Sequence, residues 1–177
     1  MQPCVYTTQF PVWLRAAAGV PAGLACFRSN KRWSKAAKLL DQYGTVPILF
    51  RIQEDSDTEL ACQYVAELVE IHFRKRFDDD EARLAWLDDK LKLQRDTIKQ
   101  MDRTEEFPTW ESQFQVWEIA NFMEAKTWYI VRNLHEIKPL PLSQLRKLKD
   151  DQPLASNYKR GYALCHFPED KIAIPGG

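Results

Sequence analysis

The side chains able to do chemistry in this chain fall into three groups: cations that can hold phosphates, indoles that can stack on planar rings, and carboxylates that can hold a metal. Arg28, Lys31, Arg32, Lys35 and Lys38 crowd one stretch, and Arg146, Lys147, Lys149, Lys159 and Arg160 crowd another. The formal charge is zero, 25 basic residues against 25 acidic, so attraction for a polyanion must come from such local patches and not from bulk charge. Acidic stretches at 54–59 and 78–81 supply the balance. Segregation of that kind predicts a polar surface with one binding side, whose affinity for phosphates falls steeply with salt as counterions are released. Six tryptophans in 177 residues are the second group. An indole stacked on an extruded base contributes about 1–3 kcal/mol, although a tryptophan is equally good packing material for a core. Trp128 alternates with Tyr129, so one of the two should face inward, and Trp86 is placed for an exposed or interface position.

Carboxylates are the third group. Glu124-Ala125-Lys126 ahead of an apolar run matches half of a metal-dependent nuclease motif, in which acids hold a divalent ion and the lysine orients water. The nearest partner acid is Asp102. Asp78-Asp79-Asp80-Glu81 could ligate a hard cation, but acids at a helix start serve as caps at its positive end. His72, His135 and His166 have no partners at catalytic spacing, and four scattered cysteines form no zinc pattern. With six glycines and no phosphate-binding loop, no nucleotide cofactor or resident metal is expected.

One ordinary domain spanning 1–177 accommodates this length. No run approaches the roughly 20 apolar residues that span a bilayer, and no secretory signal opens the chain; a cytoplasmic protein with reduced thiols is expected. Residues 1–23, rich in Pro, Gly and Ala, read as an irregular arm. Strands are predicted at 24–28, 46–52, 126–138 and 162–167; in 60–73, Leu60, Tyr64 and Leu68 suit a helix while the β-branched content favours a strand. A helix is predicted at 33–43, capped by Ser29 or Asn30 and ended by Gly44. The clearest helix is 80–103, with Leu84, Leu87, Leu91, Ile98 and Met101 on one stripe. A break with Pro108 follows, then a helix or loop at 110–123, and a short helix at 142–148. Strands interrupted by helices make the class α+β.

Two stretches carry a resemblance to a known group. The first runs Asn30-Lys31-Arg32-Trp33-Ser34-Lys35 into Gly44-Thr45-Val46-Pro47-Ile48-Leu49-Phe50. The second comprises Lys126-Thr127-Trp128-Tyr129-Ile130-Val131, Pro141-Leu142-Ser143-Gln144-Leu145-Arg146 and Ser156-Asn157-Tyr158-Lys159-Arg160-Gly161. Together they resemble YTH and EVE domains of the PUA-like superfamily. The resemblance implies a twisted sheet or open barrel flanked by helices, with 80–123 as a helical insertion that includes the long helix at 80–103. Recognition of DNA or RNA is also implied, through a modified base, usually methylated, held in an aromatic cage.

On that resemblance Trp33, Trp110 and Trp117 are the expected cage walls and Gln53 the group on the base edge. Lys31, Arg32, Lys159 and Arg160 are the expected phosphate contacts. The segment after the second strand, Gln53-Glu54-Asp55-Ser56-Asp57, departs from the Asn-rich glycine turn of YTH domains. The expected chain is a non-catalytic reader, the targeting half of a larger system such as a modification-dependent restriction enzyme. The alternatives are the nuclease at Glu124 and Lys126, and an interaction module that pairs through the stripe on 80–103 with a partner or a second copy.

Overall fold

The protein was analysed as a computed structural model that describes residues 2–18, 23–52, 60–101, 120–158 and 160–173, with backbone alone for residues 12 and 93–101. Seven strands form one mixed sheet. In chain order the elements are β1 (Pro3–Gln9), α1 (Pro11–Ala18), β2 (Leu24–Ser29), α2 (Ser34–Tyr43), β3 (Val46–Ile52) and β4 (Ala61–Phe73). They continue with α3 (Asp80–Met101), β5 (Thr127–Pro141), β6 (Arg146–Lys147) and β7 (Tyr162–His166). Across the sheet the order is β2-β5-β4-β3-β1-β7-β6. β1 runs parallel to β3, Val5 opposite Ile48, and antiparallel to β7, Cys4 opposite Cys165. The class is α+β, as expected.

Alternation along the strands separates two cores, because successive side chains point to opposite faces. Val5, Val46, Ile48, Phe50, Ala66 and Leu68 face the larger core, which α1 and α3 cover with Trp13, Leu14, Leu87 and Leu91. Cys4, Tyr6, Leu49, Cys62 and Val65 face a smaller one, closed by Leu142, Leu145, Leu154 and Phe167. Cys26 lies in the larger core, and all four cysteines are free and buried. Burial pushes every thiol up, Cys165 to about 12, which leaves them inert as nucleophiles at neutral pH.

The sheet must curl. Three strands separate β2 from β1 in the ladder, which in a flat sheet would place them nearly 20 Å apart at about 4.8 Å per strand. Yet Gln9 Nε2 on β1 donates to the Arg28 carbonyl on β2 over 3.1 Å. The larger core therefore sits inside an open barrel. It stays open because β1 has β3 on one side and β7 on the other, and has no edge left to pair with β2.

Irregularities in β4 and β5 assist the curl. Val65 pairs with His135 but Glu67 with Arg132, so β5 carries one extra residue there. Asn133 takes it up at φ +56°, a conformation Asn tolerates better than most residues, and such bulges increase local twist. Glu67 accepts from Arg132 Nε at 2.8 Å and Nη2 at 3.0 Å, and from Asn133 Nδ2 at 3.4 Å.

Several sequence expectations need correction. Residues 3–18 of the expected irregular arm are instead regular: β1 lies inside the sheet, and α1 begins at Pro11, where a missing N–H costs nothing. The 142–148 segment is not a helix but a 3₁₀ turn followed by β6; Leu142 and Leu145 fill the smaller core, a spacing of three that either form satisfies. Neither Ser29 nor Asn30 caps α2, which starts at Ser34. Gly44 does end that helix at φ +77°, its N–H donating to the Leu40 carbonyl at 2.8 Å. Asp79 caps α3 through the Ala82 N–H at 2.8 Å. Leu87 and Leu91 of its stripe pack inward, while Leu84 is exposed. Trp86 is half-buried against Phe77 and Trp128.

Arg132 holds the Glu67 carboxyl below the ordinary glutamate range. A depressed folded pKa adds stability above the unfolded pKa, near about 4.3, and loses it as pH falls through the folded value. Glu67→Gln is expected to cost about 1 kcal/mol at pH 7, a modest sum because Arg132 is half exposed. The deficit against wild type should shrink as pH drops below about 4. Urea denaturation of both proteins at pH 7 and pH 3 measures it, and a deficit independent of pH would refute the account.

Candidate nucleic-acid interface

The seam where the barrel fails to close is a groove of about 400 Å³. Thr7, Thr8, Gln9 and Phe10 at the end of β1 form one wall. Arg28, Ser29, Asn30 and Lys31 at the end of β2 form the other, with Asn121 and Gly161 between them. Cations, carboxamides, hydroxyls and one aromatic ring thus meet at one mouth of the barrel.

Buried hydrogen bonds fix both walls. Gln9 Nε2 donates to the Arg28 carbonyl and, at 3.0 Å, to the Tyr129 hydroxyl on β5. Thr7 Oγ1 donates to the Gly161 carbonyl at 2.8 Å. On the β2 side, Thr127 Oγ1 donates to the Lys31 carbonyl at 2.7 Å and accepts the Trp33 N–H at 3.3 Å. Ser29 Oγ accepts the Lys31 N–H, and the Ser29 carbonyl accepts the Lys126 N–H at 3.1 Å. Ser29, Lys31 and Trp33 are therefore clamped while the Lys31 side chain remains exposed. Gly161 approaches Thr8 so closely that a Cβ there would meet its Oγ1 at 3.0 Å.

Trp33 lies directly behind this wall, and the expectation that it forms an open cage wall is corrected by its burial. Its ring is fully enclosed, sandwiched between Tyr129 at 4.1 Å and Tyr162 at 4.9 Å with nearly parallel planes. The stack continues through Phe27, 5.6 Å from Tyr129. Burial pushes the Tyr129 hydroxyl up, and that of Tyr162 to about 12, so both stay protonated.

Of the other expected contacts, Lys31 lines the groove. Arg32 is its exposed neighbour, but its guanidinium rests over the Phe73 ring at 5.4 Å, away from the groove. Arg160 is exposed beside groove-lining Gly161. Gln53, Trp110, Trp117 and Lys159 lie outside the described residues. Sequence reasoning missed Gln9, Phe10, Asn30 and Asn121. Arg28 belonged to the basic cluster already read, and its guanidinium lies 5.8 Å from the Phe122 ring.

For the nuclease alternative, Glu124 is exposed and its carbonyl accepts from Arg74 Nη1 at 3.0 Å, while Asp102 lies outside the described residues. Among the described residues no three His, Cys, Asp or Glu side chains converge on a metal position. No described helix is long and apolar enough to cross a membrane. A second groove of about 450 Å³ lies at the other end of β7, where Arg146 and Lys171 face Asp151 and Asp170. Its charges cancel, unlike those of the seam.

Neither a protein-family model nor a curated protein matches this chain. Among solved structures, the N-terminal domain of Staphylothermus marinus McrB aligns over 94% of this chain and 89% of its own, at 10% identity and a TM-score of 0.47. So distant a likeness carries no argument about function, and the seam is read on its own chemistry.

Thr127 is the residue on which the β2 wall depends. Thr127→Val would leave the buried Lys31 carbonyl and Trp33 N–H unpaired, at an expected cost of about 1–3 kcal/mol, whereas Thr127→Ser should recover most of it. Chemical denaturation gives the cost, and hydrogen exchange at the Trp33 amide reports the clamp directly. Unchanged exchange in the valine variant would show that the clamp does not hold the loop.

Proposed function

We propose that this chain is a non-catalytic nucleic-acid-binding domain of the PUA-like kind, which reads a modified base on DNA or RNA for an effector. The observation that carries the reading is the seam itself. It places two cations, Arg28 and Lys31, beside three carboxamides, Gln9, Asn30 and Asn121, and the Phe10 ring. Phosphates need cations, base edges need groups that donate and accept, and a base face needs a flat apolar partner. A groove of about 400 Å³ has room for one extruded nucleotide. Extrusion costs a few kcal/mol, which stacking on Phe10 and contacts to the carboxamides would offset. The likeness of residues 24–53 and 126–167 to YTH and EVE domains points the same way. Trp110, Trp117 and Gln53 remain proposed contributors to the base site, with Lys159 and Arg160 as phosphate contacts.

Lys31 is the cleanest probe, because its side chain is exposed while its backbone is held from both sides. Anisotropy titrations with labelled single-stranded and duplex DNA and RNA, plain and methylated, should show binding that weakens steeply with salt. Lys31→Ala should lower affinity several-fold for every sequence and reduce the salt slope by about one. If no oligonucleotide in that panel binds at low salt, the reading is wrong.

A further inference from the structure

The proton positions around Gln9 can be assigned without ambiguity, although a glutamine amide is ordinarily open to a flip. A backbone carbonyl only accepts, so the Gln9 atom 3.1 Å from the Arg28 oxygen must be the NH₂. Its second proton goes to the Tyr129 oxygen at 3.0 Å. Nearby on the same strand, Thr7 Oγ1 donates to the Gly161 carbonyl. The Arg28 carbonyl thus pins the orientation of the amide, and both side-chain donors of Gln9 are engaged.

The remaining group is Gln9 Oε1. It makes no hydrogen bond among the described residues, nor is it one of the sealed, unpaired polar atoms of the interior. Gln9 is only 7% exposed and lines the groove. The seam is thus lined by a mostly desolvated side chain whose unbonded oxygen cannot rotate into a donor without breaking both of these hydrogen bonds.

We infer that Gln9 is a specificity-determining residue, which selects bases bearing an exocyclic amine over bases bearing a carbonyl at the same place. The inference rests on the nucleic-acid reading above and sharpens it. Adenine and cytosine offer an N–H to Oε1. Hypoxanthine and uracil offer an oxygen, which would face another oxygen in a site without water to relieve it. A monomethylated amine still keeps one N–H and fits; a dimethylated amine has none and does not. A site built to bond a donor rejects the analogue that lacks it far more strongly than an apolar pocket rejects a misfit.

The test uses the full chain and single-stranded oligonucleotides that differ at one central base, in two pairs: adenine against hypoxanthine, and cytosine against uracil. Monomethylated and dimethylated forms of the preferred amine follow. In at least one pair the amine form should bind about tenfold tighter or better. The monomethylated form should be retained and the dimethylated form should fall to the level of the carbonyl base. Gln9→Met, close in length and without polar atoms, should erase the difference. Should that variant fail to fold, the panel on wild-type protein decides alone. Salt-dependent binding that is equal for amine and carbonyl bases in both pairs overturns the role of Gln9 and leaves the reading of the groove standing. Failure of every oligonucleotide to bind removes both.

Discussion

The arrangement of this molecule follows from a conflict over one strand. β1 is hydrogen-bonded to β3 on one side and to β7 on the other, so the curled sheet brings β2 alongside a strand with no ladder groups to offer. A barrel that closed would pair β1 with β2. Here the gap is spanned by the Gln9 side chain, which satisfies the Arg28 carbonyl and the Tyr129 hydroxyl together. A neutral hydrogen bond adds only about 1 kcal/mol net, but leaving a buried partner unsatisfied costs about 1–3 kcal/mol. The tether is thus enforced mainly by the penalty of its absence. The groove is the space that a missing ladder leaves, walled by strand ends and lined with polar groups the seam requires in any case.

The aromatic content has its explanation inside the curl. A strongly bent sheet encloses a wide interior, and the stack of Phe27, Tyr129, Trp33 and Tyr162 fills it with flat rings at separations of 4.1–5.6 Å. Rings suit that place because they bury large areas and carry polar handles, and here the Tyr129 hydroxyl reaches the tether. Trp128 is bound likewise, its Nε1 donating to the Phe122 carbonyl at 2.8 Å. Trp13 packs against Phe122 at 5.4 Å. Indoles that look available for ligands in the sequence are, at these positions, the structural fill that lets the sheet bend.

Periodicity was enough to place most of the sheet and both longer helices: 24–28, 46–52, 60–73 and 126–138 are strands within a few residues, and Gly44 stops α2 as its type suggests. The long strand at 60–73 was readable from β-branched content in spite of its irregular register. β1 was not readable, since only Cys4, Val5 and Tyr6 are apolar before Thr7, Thr8 and Gln9. Thr7 and Gln9 are buried because partners 154 and 120 positions away bond them, and no local window contains that information. The same limit applies to the site. Lys31 and Arg28 could be read as a basic run, but the seam joins residues 7–10, 28–31, 121 and 161, which come together only once the sheet has curled.

In the proposed mode of binding, cations on the rim and an acceptor deeper in the seam divide the work by depth. Lys31 acts through water, where its attraction for phosphate is screened and indifferent to sequence. Gln9 acts where water is largely excluded, so a mismatched pair there has no solvent to repair it. The same carboxamide latches β1 to β2 through Nε2 and lines the groove, its Oε1 making no hydrogen bond among the described residues. Closure, and in the proposed reading discrimination, are therefore properties of one group. The acceptor is fixed because the fold needs the donors, so altering the floor to read another base would loosen the seam unless a second residue took over the Arg28 carbonyl.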